Sequence, residues 1–253
     1  MHERRWPWLV ASASLVAAGL TGAAATYLWW LPCRGAMLVG TILEPARNGP
    51  DQACIDRMGE GTPFPLPTEV ASSTPGLLLL ATVTMILVAV AWLLPVFTEQ
   101  TSLVRRVIAA FPALAVLAVA VLGLGIAYGV PGAEGLAYPL DALVNLLVLA
   151  AVVVLWGHSV TRARYLVAAL ALSAMGFAGP VTEYLVMVHW SELNWDAPPG
   201  SGYLTAGLLV LCGLTLLTMS RLAGSSRAPC APSPKVPPSE AVGPAIDVGG
   251  AVS

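Results

Sequence analysis

Apolar residues in this chain neither alternate nor collect on one face of a helix. They run on without interruption. Uncharged stretches cover 6–33, 70–98, 107–133, 142–161, 165–182 and 197–220, and a helix needs about 20 mostly apolar residues to cross the hydrocarbon of a bilayer. Six spans are expected, at approximately 9–31, 76–97, 107–128, 140–157, 165–188 and 203–222. The fold class read from this pattern is all-α, a polytopic six-helix transmembrane bundle. A soluble core would need polar helix faces, and a transmembrane barrel would alternate.

Composition agrees, with 57% hydrophobic and only 10% charged residues against about 25% charged in soluble domains. Tryptophan and tyrosine favour the headgroup level of a membrane. All eight tryptophans (Trp6, Trp8, Trp29, Trp30, Trp92, Trp156, Trp190, Trp195) fall near expected span ends, as do the six tyrosines.

Basic residues flanking short loops are retained on the cytoplasmic side. Arg4, Arg5, Arg105, Arg106, Arg162, Arg164, Arg221, Arg227 and Lys235 share one side, while Arg34, Arg47 and Arg57 lie in the long loop on the other. Both termini are therefore expected in the cytoplasm, with loops 32–75, 129–139 and 189–202 outside. The first span could be read as a signal peptide, since Arg4 and Arg5 precede an apolar run ending in Gly22-Ala23-Ala24-Ala25. That run continues to Leu31, longer than an h-region of about 7 to 15 residues, so an uncleaved helix is expected. Arginine outnumbers lysine eleven to one, which suggests a bacterial genome rich in G and C and hence the bacterial plasma membrane. The tail, 223–253, is rich in Pro, Ser, Ala and Gly and is expected to be disordered in the cytoplasm.

The external loop 32–75 carries Cys33 and Cys54. In an oxidising compartment they should form a disulfide, and the lack of a CxxC spacing makes that bond structural and not redox-active. Asp51 after Pro50 reads as a helix start, so a short helix over 51–58 would carry Cys54 and be pinned to the end of span one.

Ionisable and amide groups at membrane depth are expensive and count as functional candidates. Asp141 and Asn145, four residues apart, share a helix face, and Glu183 follows Gly179-Pro180, where proline should kink the helix. Together they are a candidate ion or proton site of a small transporter. Each also has a structural reading: Asp141 as the first residue of span four, capping its free amides, and Glu183 in the first turn of a helix started by Pro180. His189, Glu192 and Asp196 lie at i, i+3 and i+7, a weak metal pattern that a solvated edge explains equally; no metal and no cofactor is assigned. Gly125 and Gly129 form one GxxxG, a motif of close helix packing.

No phosphate-binding, zinc-protease, nucleophile-elbow or dinucleotide motif is present, and the dispersed basic pairs do not indicate nucleic-acid binding. The expected partner is the lipid bilayer, with an envelope protein as a further partner through loop 32–75. The function expected is that of a non-enzymatic envelope or assembly protein. The alternative is a proton- or cation-coupled transporter using Asp141 and Glu183, and an intramembrane enzyme stands behind both.

Overall fold

Hydrocarbon offers no partner to a peptide group, so a chain this apolar must satisfy its backbone within helices. The computed structural model describes residues 5–33, 52–59, 75–100, 102–191 and 199–225. Every regular element among them is helical. They are α1 (Trp6–Trp29), a single 3-10 turn (Leu31–Cys33), α2 (Gln52–Gly59), α3 (Pro75–Glu99), α4 (Leu103–Ala127), α5 (Ala133–Leu155), α6 (Ser159–Met175), α7 (Ala178–Ser191) and α8 (Tyr203–Ser225). Five of these helices are long and apolar enough to cross a membrane. The sixth expected span is a pair: α6 and α7 meet at a 67° bend.

Expected and observed boundaries differ most in α5. It begins at Ala133, not near residue 140, because Pro139 is carried inside the helix and does not start it. Pro95 and Pro112 are likewise internal to α3 and α4. The GxxxG of α4 serves as a terminator. Gly129 has a positive φ of 72°, its amide bonds Ile126 O at 2.9 Å, and Val130 N bonds Gly125 O at 2.8 Å, the pairing of a glycine-ended helix. A side chain at Gly129 would meet nothing within 4 Å, so it packs no partner helix.

The spans close a ring in the order α1, α3, α4, α5, α6, α8 and back to α1, and α6 also touches α3 and α4 across it. This central position explains the alanines of α6: Ala168, Ala169, Ala171 and Ala174 are buried beside Leu172 and Met175. Leucines on the outward faces, such as Leu20, Leu79, Leu149 and Leu170, are 63% or 64% exposed. A surface so apolar fits lipid and not water. The chain is a membrane-spanning helical bundle.

Helices without a hydrophobic drive between them hold together by close packing at small residues. On α1, Ser12, Gly19 and Thr26 are spaced by seven and face α8. The Ser12 hydroxyl donates to Gly213 O at 2.6 Å, and a Cβ at Gly19 would lie 2.6 Å from Ala206 O and 2.5 Å from Val210 Cγ2. A Cβ at Gly213 would lie 2.9 Å from Ser12 O. Gly19→Val is expected to push α1 from α8 and to destabilise by about 1 to 3 kcal/mol. Gly207→Ala, whose Cβ meets nothing within 4 Å, should be neutral or gain up to about 1 kcal/mol; thermal unfolding of both variants in detergent would compare them.

Candidate functional site

The first turn of α8 has four amides that its own helix cannot satisfy. Its cap position is Gly202, which has no side chain to accept from them. Glu183, 3% exposed on α7, does so from outside: Oε1 accepts from Gly202 N at 2.6 Å and Leu204 N at 2.8 Å, and Oε2 from the Thr205 hydroxyl at 2.6 Å and Thr205 N at 3.4 Å. A carboxylate here also meets the positive end of the α8 dipole. The turn that delivers these amides requires glycine. Gly200 and Gly202 have φ of 91° and 107°, and a Cβ on Gly202 would fall 2.5 Å from Thr26 Oγ1.

The same end of the bundle carries the cysteines. Their sulfurs are 1.94 Å apart, a disulfide. It fixes α2 against the end of α1, where Cys54 and Met58 are buried and the Arg57 guanidinium lies 4.5 Å from the centre of the Trp29 ring. Trp30 is fully buried, with its indole donating to Ser201 O at 2.8 Å. One tryptophan thus ties α1 to the turn that precedes α8. The rest of the expected loop, 34–51 and 60–74, lies outside the described residues.

Asp141 is 7% exposed in the third turn of α5. It is not a capping residue, because the helix starts eight residues earlier, at Ala133. No hydrogen bond to its carboxylate is found among the described residues. Asn145, one turn on, lies against Gly176, the residue that ends α6: a Cβ there would be 2.9 Å from Asn145 Oδ1. That Oδ1 is buried without a hydrogen-bond partner. The structure therefore brings Asn145 to the α6–α7 break with Asp141 one turn away. Glu183 belongs elsewhere: all its hydrogen bonds go to α8.

Sequence reasoning missed the opposite end. Arg164, counted there as a loop charge, is fully buried at the start of α6. Its guanidinium carbon is 5.6 Å from the Trp8 ring centre, Trp8 packs edge-on to Tyr165 with centroids 5.0 Å apart, and the Trp8 indole donates to Glu99 Oε1. Trp92 donates to Ala109 O at 2.5 Å. Trp8, Trp29, Trp30 and Trp92 are thus inside the bundle, whereas Trp6 and Trp156 are half exposed. A span-end position does not distinguish a headgroup ring from an internal one. An acceptor for the indole N–H would have been the signal, and it lies far away in sequence.

No group of three or more His, Cys, Asp or Glu able to hold a metal occurs among the described residues. Glu192, Asp196 and the side chain of His189 lie outside them. The fold and its buried polar groups define a polytopic membrane protein. No protein-family profile, curated protein or solved structure matches the chain.

Glu183→Ala would strand three amides and a hydroxyl at the start of α8, a loss expected at roughly 2 to 4 kcal/mol. Asp141→Asn strands nothing and should change stability by less than about 1 kcal/mol in sodium-free buffer. Thermal unfolding of the two variants beside wild type reads the difference. Reducing the disulfide should cost about 3 kcal/mol by the chain-entropy account, visible as a lower unfolding temperature in reductant that the Cys33→Ser/Cys54→Ser variant reproduces.

Proposed function

We propose that this protein is a non-enzymatic component of a bacterial plasma membrane, with both termini in the cytoplasm, whose disulfide-fixed outer end docks a partner protein of the envelope. One observation carries the reading. The short helix α2 is held from beneath by Cys54, Arg57 and Met58, and it turns Gln52, Ala53 and Asp56 outward. Gln52 and Asp56 are joined by a 2.8 Å hydrogen bond, so α2 presents a fixed polar face beside the apolar spans. Cys33 and Cys54 are 1% and 0% exposed. A reactive thiol must be reachable, which favours a structural bond over a redox-active pair.

The charge bias of the loops supports the orientation. A phosphatase reporter that is active only outside the cytoplasm should stay silent at the C terminus and be active when inserted in the Cys33–Cys54 segment. For the docking face, a photo-crosslinking amino acid at Ala53 in native membranes should give one discrete protein adduct, while the same probe at lipid-facing Leu146 should give none. Lipid adducts alone at Ala53 would contradict the reading.

A second reading, a small cation-coupled transporter, is favoured by one placement: Asp141 and Asn145 at a broken span. Flux across proteoliposome membranes, lost with Asp141→Asn, would support it.

A further inference from the structure

The break between α6 and α7 lies deep in the bundle. Asn145, which meets it, is twelve residues into the 23-residue α5, about 18 Å along the helix and so near the middle of a hydrocarbon core of about 30 Å. At such a depth a helix end leaves carbonyls that neither water nor the next turn can satisfy. Here the Gly176 amide bonds Ser173 O at 3.2 Å, three residues back, which withdraws it from the carbonyl of Leu172. Pro180 lacks an amide, so the Gly176 carbonyl takes the Gly179 amide at 3.0 Å instead, which withdraws that donor from the carbonyl of Met175, and α7 leaves at 67°.

Beside this carbonyl end stand two further oxygen groups. The Asn145 Oδ1 is buried and without a partner, and it fits only because residue 176 is glycine. Asp141 is on the same face of α5 and is buried as a residue, at 7% exposure. Among the described residues no basic residue lies beside it. α5 itself has none, and the arginines of its neighbours, Arg105, Arg106, Arg162 and Arg164, lie at the far ends of α4 and α6. Arg164 is twelve residues from Gly176, about 18 Å of helix. The helices packed on α5, α4 and α6, carry no carboxylate, and Glu183 on α7 is committed to α8.

A lone buried carboxylate with neutral oxygens around it lacks one positive charge. We infer that Asp141, Asn145 and the carbonyl end of α6 at Gly176 form a binding site for a single sodium ion. Oxygen donors of this kind suit a hard cation, and unwound carbonyls at a broken span are the chemistry by which alkali cations are held at membrane depth. A divalent ion would leave an uncompensated positive charge in a low-dielectric interior, at high cost. The site is one of binding, so it stands whether or not the ion is carried across, and whether or not α2 docks a partner.

Binding to the folded state alone raises stability with ligand concentration. The full-length protein in nanodiscs, unfolded thermally in sodium chloride and in choline chloride at equal ionic strength, should melt higher in sodium, with the shift growing over a range of sodium concentrations. Asp141→Asn should abolish the sodium-dependent part and Asn145→Ala should weaken it at least tenfold in half-saturating sodium. Glu183→Gln should lower the melting temperature in both salts and keep the sodium increment. Equal melting temperatures in the two salts for the wild type would overturn the site without recourse to any variant. So would an increment that survives in Asp141→Asn, or a stabilisation that grows on acidification equally in both salts, which would mean that Asp141 takes a proton instead.

Discussion

What this molecule must solve everywhere is the satisfaction of peptide groups where no water can reach them. Long helices solve it along their length, and the ends are where it becomes specific. At the end of α4 the chain closes on itself with Gly129 in the left-handed region. At the start of α8 it cannot, since Gly202 has no side chain to offer. A carboxylate from another helix takes over, and Glu183 thereby fastens α7 to α8 through four hydrogen bonds. The end of α6 differs from both: the amides after it turn back to Ser173 O and Gly176 O, and Asn145, whose Oδ1 has no partner, packs against Gly176.

This contrast divides the two intramembrane carboxylates by role. Glu183 is consumed by structure: removing it exposes amides whose burial costs more than any interaction it could make with a passing ion. Asp141 has no such employment among the described residues, and it lies one helical turn from Asn145, which meets the α6–α7 break. The rest of the bundle holds these positions rigidly. The α1–α8 seam of small residues sets the place of the Gly200–Gly202 turn, Trp30 ties that turn to α1 through Ser201, and the alanine-rich α6 runs through the centre. At its start buried Arg164, Trp8 and Tyr165 pack together, with half-buried Glu99 accepting from the Trp8 indole, and the arginine stem supplies apolar contact as well as charge.

The spans were legible because membrane crossing depends on local composition, which a window of about twenty residues contains. The disulfide was legible because only two cysteines fall in the same loop. The bend near Gly179-Pro180 also announced itself, although the break sits at Gly176, where Asn145 needs the space of a missing side chain. What failed was whatever depended on distant partners. Nothing around Glu183 reveals that its acceptors' counterparts lie at residues 202 to 205, and Trp8 looks like a headgroup ring until Glu99 appears beside it. Asp141 reads as a possible cap because the uncharged run starts just after it, whereas α5 begins at Ala133 and carries Pro139 within its second turn.

Amide hydrogen exchange at Gly202 and Leu204 tests most directly whether Glu183 is the partner on which the α7–α8 junction depends. In the wild-type protein in nanodiscs both amides should be protected, and Glu183→Ala should release them by roughly a hundredfold, the equivalent of two to three kcal/mol, while amides in the middle of α8 keep their protection. Exchange at Gly202 and Leu204 that is equally fast, or equally slow, in the two proteins would contradict the account.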